Sequence, residues 1–122
     1  MSQIKKELKR FLVAGVGAVC ADLFTYYIMV NFLQYDIAKT ISFILGTIVA
    51  YILNKYWTFE KYERSYKEVV KFGLLYTFTL GANVMTNKIV LKITDALLLS
   101  FLVATGVSTV LNFIGQKWWV FR

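Results

Sequence analysis

Apolar residues in this chain gather into four long runs, at about residues 11–33, 37–56, 69–91 and 96–116. They are not dispersed at the period of an amphipathic helix or strand, as a soluble core requires. Each run is close to the ~20 residues that carry a helix across ~30 Å of hydrocarbon. The pattern therefore predicts an all-α membrane protein with four transmembrane helices in one domain over residues 1–122. The polar links at 34–36 and 92–95 are short, so helices 1/2 and 3/4 should form two tight hairpins. The stretch 60–68 joins them. The first run holds one charge, Asp22, and the third holds Asn83, Asn87 and Lys88.

The basic residues give these spans an orientation. Eleven lie on one side (Lys5, Lys6, Lys9, Arg10, Lys55, Lys61, Arg64, Lys67, Lys71, Lys117, Arg122) and three on the other (Lys39, Lys88, Lys92). Basic residues accumulate on the cytoplasmic side of short loops, so both termini and the middle loop are expected in the cytoplasm, in a multi-pass cytoplasmic-membrane protein. The net charge of +7 is mainly this topology signal. It flanks spans instead of lining a soluble face, which speaks against nucleic acid and for anionic lipid head groups.

Composition agrees. Of the residues, 58% are hydrophobic and 17% charged, against about 45–50% and about 25% in soluble domains. Four spans leave no room for a soluble catalytic domain. With no His and one Cys, Cys20, a His/Cys metal site, a disulfide and a His-based triad are excluded. Cys20 should pack as a small residue. The first run is too long for a signal peptide and is expected to be a retained span. No nucleophile stands near a base, no carboxylates are paired and no Gly-rich phosphate loop follows a strand. The sequence therefore predicts neither an enzyme nor a cofactor.

The two halves resemble each other. At an offset of 61, Glu7 meets Glu68, Arg10-Phe11 meets Lys71-Phe72, Ala21 meets Ala82, Asp22 meets Asn83 and Thr25 meets Thr86. At an offset of 62, Asn54-Lys55-Tyr56-Trp57-Thr58-Phe59 meets Gln116-Lys117-Trp118-Trp119-Val120-Phe121. Two repeats of two spans share one topology, so a pseudo-two-fold axis along the membrane normal is expected. Residues spaced by four recur in helix 2 (Ser42, Gly46, Ala50, Asn54) and helix 4 (Ser100, Ala104, Ser108, Asn112, Gln116). Small residues at this spacing let backbones approach. Ser42, Gly46, Ala50, Ser100, Ala104 and Ser108 are read as packing seams. For Asn54, Asn112 and Gln116 a seam and a ligand contact stay open, because an amide in the membrane needs a partner.

Asp22 is the candidate for chemistry at depth. A carboxylate there costs about 2.5 kcal/mol or more to insert, so it should face the bundle or a wet cavity. It is read as part of a polar path, with Asn83 at the equivalent depth and Asn87 extending the stripe. Lys55 and Lys117 each follow an amide and precede a Trp two residues on. An ammonium beside an amide at the membrane surface suits a phosphate head group. Trp57 and Trp119 are read as interfacial anchors and Lys88 as a snorkelling side chain.

Together, Arg10-Phe11 entering a span with a mid-helix Asp22, and the two endings at 54–59 and 116–121, resemble the GtrA-like family over about residues 9–121. The resemblance implies a small membrane protein of cell-surface polysaccharide synthesis that flips a polyprenyl-phosphate-linked sugar. Lys55 and Lys117 would receive the phosphate, and Asp22, Asn54, Asn83 and Asn112 would bond the sugar hydroxyls, with Asn87 and Gln116 on the same path. A membrane glycosyltransferase and a second copy of the chain are further expected partners. Two rivals remain. One is a proton-coupled small exporter resembling small multidrug transporters, with Asp22 exchanging the proton. The other is a non-transporting anchor for a glycosyltransferase, dependent on the loop at 60–68.

Overall fold

Lys, Glu, Leu and Ala all favour helix, so the charged flanks of an apolar run continue its helix instead of ending it. The computed structural model, which describes residues 2–122 apart from the side chains of Ser2 and Asp36, shows this directly. Helix α1 spans Ser2–Met29, α2 Tyr35–Leu53, α3 Tyr66–Thr94 and α4 Leu97–Gly115. Helices α2 and α4 each run on into a five-residue π-helical turn, Asn54–Thr58 and Gln116–Val120. No strand occurs among the described residues.

The helix ends differ from the sequence expectation. Helix α1 begins nine residues before Phe11 and stops at Met29, four residues short of Leu33. Its carboxyl end is closed by Leu33 N–H donating to Met29 O at 2.9 Å. Helix α2 takes in Asp36, expected in a loop, so the first connection is 30–34. The second shrinks to Asp95 and Ala96. There Asp95 adopts a left-handed conformation (φ 58°) and its N–H caps Leu91 O at 2.8 Å.

Four helices are long and apolar enough to cross a membrane, and only 17–28% of each apolar window is buried. Val19 is 66% exposed, Phe78 64% and Leu97 77%. A monomer in water does not carry apolar surface on this scale, so the chain is a multi-pass membrane protein.

The chain forms two compact units, Met1–Glu63 and Arg64–Arg122. In the first, α1 and α2 make an antiparallel hairpin. Ala38, Ser42, Gly46, Ala50, Asn54 and Thr58, every fourth residue of α2 and its π turn, are all buried. A Cβ at Gly46 would stand 3.0 Å from both the Ala18 carbonyl oxygen and Asp22 Cβ; glycine is what lets α1 come this close. Glu7, Phe11 and Ala14 are buried on the facing stripe of α1. In the second unit, Ser100, Ala104, Gln116 and Val120 are buried on α4 and its π turn, as are Glu68, Phe72, Leu75 and Thr79 on α3. The small-residue ladders are packing seams, as expected. Ser108 adds a bond, since Asn83 Nδ2 donates to its Oγ at 3.0 Å.

Candidate functional site

In the first unit the amino-terminal end of α1 meets the π turn that closes α2. An i→i+5 turn replaces the tighter helical ladder here: Phe59 N–H donates to Asn54 O at 2.9 Å. Inside the turn, Thr58 Oγ1 donates to Asn54 Oδ1 at 2.9 Å, satisfying a buried amide oxygen. The wider turn presents Trp57, both carbonyl and indole, to α1. Arg10 takes both: Nη1 donates to Trp57 O at 2.7 Å, and the guanidinium carbon lies 5.3 Å from the ring centroid. Such a stack is worth about 0.5–2 kcal/mol. In the second unit Lys71 donates to Trp119 O at 3.5 Å and lies 5.8 Å from that ring.

Lys6, Lys9, Arg10 and Val13 fall at i, i+3, i+4 and i+7 and so share one face of α1. With Trp57 they line an open cavity of about 390 Å³. Glu60 provides the counter-charge from the loop, with its backbone in the left-handed region at φ 50°. Its carboxylate lies 3.5 Å from Lys6 and 3.9 Å from Arg10. Three cations against one anion leave two positive charges in excess. The Glu60 pairs are half-exposed and long, so each is worth about 0–1 kcal/mol. Pairs this weak leave the two cations able to exchange Glu60 for another anion.

Lys55, expected to receive phosphate, is instead buried, 2% exposed. Its ammonium donates to the Glu63 carbonyl and lies 5.6 Å from the Tyr56 ring, tying the loop to the end of α2. It does not line the cavity. Lys117 is half-buried, 5.4 Å from the Trp118 ring. Trp57 and Trp119 are 38% and 43% exposed, and each carries a cation from the neighbouring helix. The sequence showed Lys6, Lys9 and Arg10 only as topology charges; their shared helical face was the available signal that they line one cavity. The position of Glu60 was not readable.

Deeper in the hairpin, Lys39 Nζ bonds both oxygens of Asp22 at 3.0 Å, and lies 5.7 Å from the Tyr26 ring. The Asp22 side chain is 18% exposed and that of Lys39 58%. Asp22 and Asn83 are each held within their own unit, Asp22 by Lys39 and Asn83 by Ser108. Asn87 is half-buried and Lys88 exposed. Asn112 Oδ1 and both polar atoms of the Gln116 side chain are buried without a partner. No metal-holding cluster occurs among the described residues.

The sequence profile of the GtrA/DPMS transmembrane domain matches residues 10–121. The chain belongs to this family. Among its relatives is the membrane protein YngA of Bacillus subtilis (strain 168), 30% identical over 118 residues, spanning 95% of this chain and 80% of that protein. A second is the cell wall teichoic acid glycosylation protein GtcA of Listeria monocytogenes serovar 1/2a. It is 28% identical over 121 residues, spanning 92% of this chain and 82% of that protein. A third, the Bacillus subtilis membrane protein YwcD, is 25% identical over 128 residues. The GtrA/DPMS match takes in Arg10, Trp57, Glu60 and the Asp22–Lys39 pair, whereas Lys6 and Lys9 precede it. The cavity thus combines family-domain residues with two lysines on the amino-terminal extension of α1.

Proposed function

We propose that this GtrA-family chain moves a polyprenyl-phosphate-linked sugar across the cytoplasmic membrane for glycosylation of a cell-surface polysaccharide. The observation that carries the reading is the cavity of Lys6, Lys9, Arg10 and Trp57, a cationic, aromatic recess of about 390 Å³ on a lipid-facing hairpin. Cations serve a phosphate, the indole face serves a sugar or isoprenoid, and the apolar α1 surface beyond Val13 keeps the tail in lipid. The relative GtcA, named for teichoic acid glycosylation, supports the substrate class.

The physical task is to lower the cost of taking a charged, hydroxyl-rich head group through hydrocarbon. In this reading the phosphate exchanges with Glu60 on Lys6 and Arg10, and the head group enters beside a polar seam while the tail stays outside. Each unit carries its own polar seam, with Asp22 and Asn54 in the first and Asn83 and Asn87 in the second. Lys55 ties the loop to the end of α2, and Lys117 lies against the Trp118 ring in the turn that closes α4. The ion pair on Asp22 speaks against the proton-exporter rival, which needs that carboxylate open to exchange. A membrane glycosyltransferase is the expected user of the delivered lipid.

The basic-residue bias supports cytoplasmic termini. With Cys20→Ser as background, a cysteine replacing Asp95 should be labelled from outside the cell and one replacing Arg64 spared; the reverse would overturn the orientation. The functional test is deletion of the gene in its host. The expected result is loss of one sugar from the surface polymer, with the matching polyprenyl-phosphate sugar accumulating inside. Undiminished decoration refutes the proposal, and loss without accumulation favours the glycosyltransferase anchor.

A further inference from the structure

The second unit contains buried hydrogen-bonding capacity that its own fold leaves unused. Gln116 is completely buried, yet neither its Nε2 nor its Oε1 has a partner. One helical turn earlier, Asn112 Oδ1 is buried and unpartnered as well. An unmet amide is costly in an apolar setting, and the first unit shows how the fold avoids it. There Asn54 stands at the position corresponding to Gln116, and the Thr58 hydroxyl donates to its Oδ1 at 2.9 Å. The position corresponding to Thr58 is Val120, a near-isostere with a methyl in place of the hydroxyl. The donor that completes the first unit is thus missing from the second.

The unmatched atoms define the chemistry of what completes them. Two are acceptors (Asn112 Oδ1, Gln116 Oε1) and one is a donor (Gln116 Nε2). A phosphate in its ionised form only accepts, so it can serve Nε2 but neither oxygen. A lipid tail serves none. Hydroxyls both donate and accept, and residues at i and i+4 share one helix face with their Cβ atoms about 5–6 Å apart, so both amides are within reach of one sugar ring. We propose that Asn112 and Gln116 form a saccharide-binding site in the second unit, selective for neutral hydroxyls over phosphate. The site deepens the reading of a lipid-linked sugar as substrate and rests on it for the identity of the arriving molecule.

The test uses amphiphiles that separate the two chemistries. The full chain in nanodiscs is titrated with octyl glycosides of glucose, galactose and N-acetylglucosamine, and separately with octyl phosphate. The side-chain amide resonances of Gln116 and the indole N–H of Trp57 are followed by NMR. At least one glycoside should shift the Gln116 resonances saturably, and octyl phosphate should leave them in place. Val120→Thr restores the missing hydroxyl without touching Gln116. It should raise the thermal midpoint by a few degrees and weaken glycoside affinity about tenfold, the worth of one to two hydrogen bonds. Gln116→Leu should raise the midpoint and abolish the glycoside response read at Asn112. If no glycoside moves Gln116, if octyl phosphate moves it equally, or if Val120→Thr leaves affinity unchanged, the site is overturned. The Trp57 response to octyl phosphate tests the cation cavity independently, so the failure of one reading is distinguishable from that of the other.

Discussion

Lys39→Leu should destabilise the first hairpin by about 3 kcal/mol, the cost of leaving a largely buried charge unpaired. Asp22→Leu should cost less than about 1 kcal/mol, because an exposed lysine stem near a helix end can snorkel. The asymmetry comes from burial. The Asp22 side chain is 18% exposed and sits on the seam beside Gly46, where the backbones are closest, whereas that of Lys39 is 58% exposed in the second turn of α2. Removing Lys39 strands a carboxylate to which no other cation is bonded among the described residues. Removing Asp22 strands an ammonium that can reach the interface. The double variant Asp22→Leu/Lys39→Leu should be at least as stable as the wild type, since apolar replacement of a buried ion pair is often neutral or stabilising. Reversible unfolding in bicelles, arranged as a double-mutant cycle, measures all three. Equal costs for the two single variants would show that the pair is exposed. The stable double variant also isolates function: as a member of the polar path, Asp22 requires that it transport poorly, and full transport would leave the pair a structural device.

The second large effect is expected at the cavity. Lys6→Gln/Lys9→Gln/Arg10→Gln should weaken binding of polyprenyl phosphate about 150-fold, taking roughly 1 kcal/mol per cation at a membrane surface. The residual affinity should also lose most of its dependence on salt, because the removed charges are the screened ones. Glu60→Gln should act in the opposite direction and tighten binding severalfold, since the carboxylate competes for Lys6 and Arg10 from 3.5 and 3.9 Å. The opposite signs matter more than either magnitude. A purely structural cluster would lose stability in both variants, and a phosphate site gains affinity in one and loses it in the other. Binding to protein in neutral-lipid nanodiscs reads both. Triple-variant affinity within twofold of wild type would remove the phosphate from this cavity.

The spans were legible because lipid imposes length and apolarity together, and no soluble fold needs four runs of this kind. The ladder from Ser42 to Ala50 was legible as a seam because its period matches the helix. The π turns were not, because an i→i+5 turn has no residue signature of its own; Asn54 and Gln116 announced only that polar atoms needed partners. The Asp22–Lys39 bond joins residues across a hairpin whose register depends on where α1 ends. With α1 drawn to Leu33 and not Met29, Lys39 reads as an outer-surface charge. Lys6, Lys9 and Arg10 were hidden by a stronger signal, since the same residues orient the protein. Charge bias reports the side of the membrane and is silent about the face of the helix. Lys55 shows the reverse error: its motif suggested exposure, and the Glu63 carbonyl holds it inside.

Translocation itself is measured in proteoliposomes. Purified protein is reconstituted with a fluorescent polyprenyl-phosphate sugar in both leaflets, and the fraction open to a membrane-impermeant quencher or hydrolase is followed in time. Wild-type protein should bring the inner-leaflet pool within reach, and the Lys6→Gln/Lys9→Gln/Arg10→Gln variant, inserted equally well, should not. A half-protected pool that persists with wild-type protein, at the rate of protein-free vesicles, would contradict it.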